Sequence, residues 1–166
     1  MKSYAKNLPV WIGKHVGTII ILLFLVIHLS IMNGYGFTWD FHFHFFGGGK
    51  LMGLEPEILE PRSLPFVEPD PRRAWTLPYG ALMSLPPVMS YMLFHKTLTV
   101  LAADNAYHLP IIIWGVFGIG ILYGFLREAI NTRVAVTGTL LLGLTPRYFG
   151  DMHNNMKDVP SAYGGW

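Results

Sequence analysis

Long apolar runs alternate with polar, proline-rich stretches along the 166 residues of the chain. The first run carries no charge from Val16 to Met32, and a basic segment precedes it. A helix of about 20 apolar residues crosses the hydrocarbon of a bilayer. We therefore predict a membrane helix over residues 11–33. A cleaved signal peptide is the disfavoured alternative, because the run exceeds about 7–15 residues and no small-residue cleavage site follows it.

Three further apolar runs follow, at residues 77–103, 109–126 and 134–146. The last two predict membrane helices. Arg127 and Arg133 lie in the link between them, which indicates the cytoplasmic side, as does the basic N-terminus. An even number of crossings must then separate the N-terminus from this link. Residues 77–103, which a Pro-Pro pair interrupts, are therefore predicted to lie as a helix on the outer interface.

On this topology, residues 34–108 form one long outer loop. Glycine, proline and charged residues fill its first part, residues 34–76, and predict little regular structure there. The glycine run at 47–49 predicts a hinge. The predicted fold is an all-α membrane protein with about three transmembrane helices, plus juxtamembrane helices in the outer loop.

The composition agrees with a lipid environment. Charged residues make up 13% of the chain, against about 25% in soluble domains. The absence of cysteine excludes disulfides, thiolate metal sites and thiol nucleophiles. A net charge of +2 without a basic helix excludes nucleic acid as a partner. We expect an integral protein of the plasma or inner membrane, with a cytoplasmic N-terminus.

Two polar clusters are predicted to meet on the outer face. They are residues 36–51, which contain Asp40, and residues 146–160, which contain Asp158 and the alternative acid Asp151. Each cluster combines an acid with aromatic or basic neighbours. Such a combination can provide a general base and stabilise an anion nearby.

The motifs around these acids are Thr38-Trp39-Asp40 and a Thr145-Pro146 step followed by Lys157-Asp158-Val159-Pro160. With the predicted order of spans, they make the chain resemble the polytopic glycosyltransferases that use polyprenyl- or dolichyl-phosphate sugars. Protein O-mannosyltransferases and lipid A aminoarabinose transferases belong to that superfamily. The resemblance covers nearly the whole chain in order, although only these two motifs are specific.

The resemblance implies that Asp40 is the catalytic base, which deprotonates the acceptor hydroxyl, and that Asp158 is the second acid of the acceptor site. Lys50, Arg147 and Lys157 are the candidates for binding the donor phosphate. Fixed cations stabilise the negative charge that grows on a departing phosphate. The implied partners are a polyprenyl-phosphate-linked sugar donor, a protein or lipid acceptor, and membrane lipids.

The chain departs from the family in two ways. Phe41 stands where the family has a glutamate after the loop aspartate. Family members are also several times longer, so residues 1–166 are expected to be the N-terminal part of a longer transferase and inactive alone.

Several polar residues have a second interpretation. His153 and Asn154 are candidate acceptor-binding donors or solvated loop residues. His42 and His44 would share one face with Asp40 in an extended strand, where they could hold a divalent metal. Alternating His and Phe is also typical of an interfacial segment, which we favour, so no metal site is assigned. Asp158 also fits a helix N-cap.

Two other classes of function remain as alternatives. One is a small non-enzymatic membrane subunit or scaffold whose outer loops bind a partner. The other is a permease fragment in which His28 or the acids line a proton or metal path. An ionisable residue inside a span, such as His28, indicates function by default, although a hydrogen bond to a neighbouring helix would also explain it.

Overall fold

The computed structural model describes residues 10–37, 41–54 and 81–155. All regular structure in these ranges is helical. The α-helices are α1 (Val10–Ile31), α2 (Phe41–Leu51), α3 (Leu85–Ser90), α4 (Ala103–Ala129), α5 (Thr132–Leu144) and α6 (Pro146–Asn154). A 3-10 turn follows α1 at Met32–Gly34, another precedes α3 at Ala81–Ser84, and a π-helical segment extends α3 through Tyr91–Thr97.

Two helical stretches are long and apolar enough to cross a membrane, His15–Gly34 and Ala103–Ala129. Their outer surfaces carry large apolar side chains such as Val26, Phe117 and Phe125, all more than half exposed. A continuous apolar surface of this kind is unfavourable in water but suits lipid chains. Within the described ranges the chain is all-helical with two candidate membrane-spanning helices, which agrees with the helical class that the sequence predicts.

Helices α1 and α4 lie antiparallel. At one end, the side-chain amide of Asn105 donates a hydrogen bond to the Oδ1 of Asn33. Towards the other end, Gly17 lies directly against the ring of Tyr123. Between these contacts, the helices share an apolar core with α6 (Ile20, Phe24, Met32, Ile112, Val116, Ile119 and Met152).

The second candidate membrane helix begins earlier than predicted. We expected residues 109–126, whereas α4 begins at Ala103 and ends at Ala129. Its first turns contain polar residues that resemble a loop in the sequence. Asn105 and His108 are nevertheless buried, since α1 and α6 pack over them. Tertiary packing has overridden the local polar signal at this end of the helix.

The apolar run predicted as a third span, residues 134–146, is divided between two helices. Helix α5 has 13 residues and measures about 20 Å, which is shorter than the roughly 30 Å of bilayer hydrocarbon. Thr145 is extended (φ −62°, ψ 121°), and Pro146 opens α6. A proline disfavours helical backbone in the residue before it and is well tolerated in the first turn.

The segment predicted as an outer loop contains more regular structure than expected. Helix α2 replaces the expected irregular chain, and the helix predicted over residues 77–103 is helical over Ala81–Thr97 within the described part. Side chains from these helices and from the start of α4 form a second apolar core, which is largely aromatic (Phe41, Phe45, Phe46, Val88, Tyr91, Tyr107 and Ile111). The glycine run at 47–49 lies inside α2, so the predicted hinge is wrong.

Gly115 provides the contact surface for α6 on α4. A Cβ at this position would lie 2.5 Å from the Cγ of Met152, whereas a Cβ at Gly124 would meet no described atom within 4 Å. We expect Gly115→Ala to lower the stability of the protein in detergent by about 1–3 kcal/mol through overpacking. Gly124→Ala, the matched control on the same helix, should leave the melting temperature equal or higher. Equal melting temperatures for both variants would contradict this packing.

Candidate functional site

A buried polar cluster lies where α1 ends, α4 begins and α6 packs against both. Its members come from distant parts of the sequence. They are three buried histidines and three asparagines, of which Asn105 is buried, Asn154 is partly buried and Asn33 is exposed at the edge (His28, His108, His153, Asn33, Asn105 and Asn154). We call this group the histidine cluster. Apolar and aromatic side chains surround it, and its position inside a helix bundle makes any unpaired polar atom unfavourable.

His28 and His153 form the centre of the cluster. The Nδ1 of His28 lies 3.3 Å from the Nε2 of His153, and both side chains are fully buried. Tyr35 stacks on the His153 ring with centroids 3.8 Å apart, and Phe149 lies 4.3 Å from the His28 ring. The two imidazoles are thus held between aromatic rings.

Two main-chain carbonyls also face His153. Its Nδ1 lies 3.3 Å from the oxygen of Phe149, one turn earlier on α6, and its Nε2 lies 3.3 Å from the oxygen of His28. A neutral imidazole has one N–H, so it can donate to only one of these oxygens. If Nδ1 donates to Phe149, the lone pair of Nε2 faces the cluster.

His108 of α4 completes the set of imidazoles. It is buried, its ring lies 5.8 Å from that of Phe37, and it approaches the main chain of His153. Among the described residues, neither of its nitrogens has a hydrogen-bond partner, nor does the Nε2 of His28. The side-chain oxygens of Asn105 and Asn154 are likewise buried without a partner in this part of the chain. Because buried polar atoms are normally hydrogen-bonded, this group of unpaired atoms indicates a place for a ligand, an ion or water.

The histidine cluster is not a complete ion site in the present side-chain positions. Within the ranges that the structure describes, no three His, Asp or Glu side chains surround one point at ligand distances. The cluster is therefore a close pair of imidazoles with a third imidazole beside it.

The structure locates four of the candidate substrate-binding residues. His153 is buried in the histidine cluster, and Asn154 is partly buried beside it. The side chain of Arg147 is 88% exposed and lies 3.7 Å from the Asp151 carboxylate, one turn along α6. Lys50 is exposed near the end of α2. The cluster does not include Arg147 or Lys50.

The predicted acids Asp40 and Asp158, together with Lys157, lie outside the described residues. Phe41, the residue after Asp40, is buried 4.7 Å from the ring of Tyr107 at the start of α4. Asn155, the last described residue, follows α6 directly. The flanking residues of both acids therefore lie at the end of the bundle that contains the histidine cluster.

The alternative metal site at His42 and His44 required an extended strand. Both residues lie in helix α2 instead. Side chains two apart on a helix do not face each other, so the proposed convergence is wrong. His44 is buried, and its Nδ1 lies 3.4 Å from the hydroxyl of Ser84.

Sequence reasoning identified His28 and His153 as separate candidates but missed His108, Asn33 and Asn105. A usable signal was present, since Asp104, Asn105 and His108 place three polar side chains just before an apolar run. Polar residues at the end of a membrane helix commonly face the bundle interior.

No family model, no curated protein and no solved structure matches the chain. The resemblance to lipid-linked glycosyltransferases therefore depends on its two sequence motifs.

Proposed function

We propose that the protein, as part of a longer enzyme, transfers a sugar from a polyprenyl-phosphate-linked donor to a protein or lipid acceptor on the outer membrane face, with Asp40 as the base. The stack of Tyr35 on His153, 3.8 Å between ring centroids, is the observation that best supports this proposal. It joins the segment leading to Asp40 with the segment leading to Asp158.

The number of residues between each acid and the Tyr35–His153 stack limits how far that acid can lie from the stack. Asp40 lies five residues after Tyr35, and Asp158 lies five residues after His153. Five extended residues reach at most about 17 Å. Both carboxylates can therefore enter one pocket at this end of the bundle, where Asp40 would accept the acceptor proton and Asp158 would position the acceptor.

The proposal includes three membrane crossings, the third made by α5 and α6 together. Gly143, near the end of α5, lies against Phe24 in α1. The hydroxyl of Tyr148 in α6 donates to the carbonyl of Gly115, near the middle of α4, at 2.8 Å. His153 then reaches His28 near the end of α1. Broken helices of this kind are tolerated in membranes where other helices satisfy their backbone groups.

An apolar groove between α1 and α4 suits the hydrocarbon chain of such a donor. Ile21, Leu25, Ile113 and Phe117 contribute to its lining, and its volume is about 540 Å³. The groove opens on the surface that carries the exposed apolar side chains. A prenyl chain could lie there with its phosphate directed towards the polar end.

The resemblance implies three cations for the donor phosphate, and Arg147, in the first turn of α6, is one of them. The ion pair of Arg147 with Asp151 spans 3.7 Å and is largely exposed, so it contributes little stability. Arg147 can therefore exchange this partner for a phosphate. Lys50 and Lys157 are the other candidates, as the resemblance implies.

The direct test is a transfer assay with a radiolabelled polyprenyl-phosphate sugar. Membranes that contain the longer enzyme of which this chain is proposed to be part should transfer label to protein or lipid, and membranes from cells with an empty vector should not. Equal transfer from both membranes, with several activated sugars, would contradict the proposal.

A second candidate, a subunit of a larger membrane assembly, is favoured by the position of Arg147. The first turn of α6 contacts the middle of α4, yet the Arg147 side chain is 88% exposed. A charged side chain at that depth is unfavourable against lipid, so water or another protein would cover it. In native gels, a stable complex that Arg147→Ala dissociates would support the subunit function.

A further inference from the structure

We propose that His28 and His153, together with His108, bind one divalent late-transition-metal ion inside the helix bundle. The ligands would be imidazole nitrogens from α1, α6 and α4. The proposed ligands do not include Asp40 or Asp158, so the inference does not depend on the sugar-transfer proposal.

The distance between the central imidazoles is the first argument. The Nδ1 of His28 and the Nε2 of His153 are 3.3 Å apart, which is long for a hydrogen bond from N–H, whose usual length is about 2.9–3.0 Å. Two nitrogens bound to Zn²⁺ at about 2.0–2.1 Å with a tetrahedral angle lie about 3.3 Å apart. The observed separation therefore matches the edge of a tetrahedral metal site.

The surroundings of His153 are the second argument. A metal-bound histidine usually donates its other N–H to a carbonyl or carboxylate, which orients the ring. The Nδ1 of His153 lies 3.3 Å from the Phe149 carbonyl, so donation there leaves the Nε2 lone pair directed at the Nδ1 side of His28. The stacked ring of Tyr35 restricts the plane of the His153 ring.

His108 supplies the third ligand. Both of its nitrogens are buried without a partner among the described residues, and its ring lies beside the main chain of His153. In the present side-chain positions, the three described imidazoles do not surround one point. Rotation of the His108 side chain towards the pair would complete the site and remove the energetic penalty of its unpaired nitrogens.

The chemistry of the ligands selects the class of metal. Imidazole suits Zn²⁺, Cu²⁺, Ni²⁺ and iron, whereas Mg²⁺ and Ca²⁺ take oxygen ligands. The chain has no cysteine, so thiolate cannot contribute. Three imidazoles leave one tetrahedral position for water or a substrate, as in catalytic zinc sites.

The test uses the full chain, purified in detergent through a streptavidin-binding tag and freed of metal with a chelator. Titration with Zn²⁺ is expected to bind one equivalent, and Co²⁺ should give the absorption of a tetrahedral complex. His28→Gln and His153→Gln should each weaken binding by at least about 10–100-fold, the loss seen even for outer partners of metal ligands. His108→Gln should weaken binding and alter the Co²⁺ spectrum.

His95→Gln is the matched control. His95 is a partly buried histidine that contacts the Leu101 carbonyl at 2.9 Å, away from the cluster. This variant should bind Zn²⁺ like the unmodified protein. Circular dichroism of each variant establishes that the helices remain folded. If a variant unfolds, its binding cannot be compared with that of the unmodified protein. Electron paramagnetic resonance of Cu²⁺ bound to the unmodified chain then identifies the ligands, and we expect hyperfine coupling to imidazole nitrogen.

The absence of stoichiometric Zn²⁺ or Cu²⁺ binding by the folded chain would overturn the proposal. Binding that survives substitution of all three cluster histidines would overturn it equally. Because no substitution involves Asp40 or Asp158, a negative result here leaves the sugar-transfer assay unaffected, and a negative transfer assay leaves the metal titration unaffected.

Discussion

Replacing Asp40 by asparagine in the complete enzyme is expected to reduce sugar transfer by about 10²- to 10⁴-fold, the contribution typical of a general base. Asparagine keeps the shape and polarity of the side chain but cannot accept the proton of the acceptor hydroxyl. Binding of the lipid donor should remain within a few-fold of normal, because the base acts on the acceptor. The measurement is the initial rate of transfer at saturating donor, together with donor binding.

Asp70→Asn is the matched control for this variant, since Asp70 is another acid of the same outer loop. It should transfer sugar at the normal rate. Asp158→Asn should raise the acceptor KM more than it lowers kcat, because its predicted role is to position the acceptor. Normal transfer by Asp40→Asn would remove Asp40 from the mechanism.

Gly48→Ala is expected to destabilise the protein more than Gly115→Ala does. An added Cβ would lie 2.4 Å from the main-chain oxygen of Ser84 and 2.8 Å from a methyl of Val88. A main-chain atom cannot move aside as a side chain can, so α2 must shift away from the 3-10 turn before α3. We expect the free energy of unfolding to fall by about 1–3 kcal/mol, towards the upper end of that range. This loss exceeds the gain of up to about 1 kcal/mol that alanine brings over glycine in a helix.

Thermal unfolding in detergent measures this effect. Gly150→Ala serves as control, since a Cβ on that helical glycine would meet no described atom within 4 Å. Its melting temperature should equal or exceed that of the unmodified protein. An unchanged melting temperature for Gly48→Ala would contradict the packing of α2 on the turn at Ala81–Ser84.

The long apolar elements could be predicted from the sequence because lipid imposes a simple requirement. Residues 11–33 were expected to be helical, and α1 covers Val10–Ile31. An uninterrupted apolar run satisfies its own backbone hydrogen bonds only as a helix. The side chains of Leu22, Leu23 and Val26 are exposed on this helix, as expected for a surface that faces lipid.

The outer loop could not be predicted in the same way. Its glycines and histidines favour irregular or extended structure locally, whereas α2 is stabilised by contacts distant in sequence. Phe45 is fully buried against Tyr91, with ring centroids 4.8 Å apart. Gly48 in this helix allows close approach to Ser84, which no local pattern reveals.

The histidine cluster was predictable only in part. His28 was conspicuous as an ionisable residue inside a span, and His153 lay in a polar segment that was expected to face water. His28 and His153 pair because the helix breaks at Thr145 and Pro146. The break changes the direction of α6, so that it packs on α1 and α4. A sequence indicates such a break but not the direction in which the next helix packs.

We propose above all that the acids at positions 40 and 158 share one face of the membrane, opposite Glu128 at the end of α4. Because the chain has no native cysteine, single substitutions Asp40→Cys, Asp158→Cys and Glu128→Cys can be labelled without background. In sealed, oriented vesicles, a membrane-impermeant maleimide should modify positions 40 and 158 from one side and position 128 only from the other. Labelling of positions 40 and 158 from opposite sides would contradict the claim.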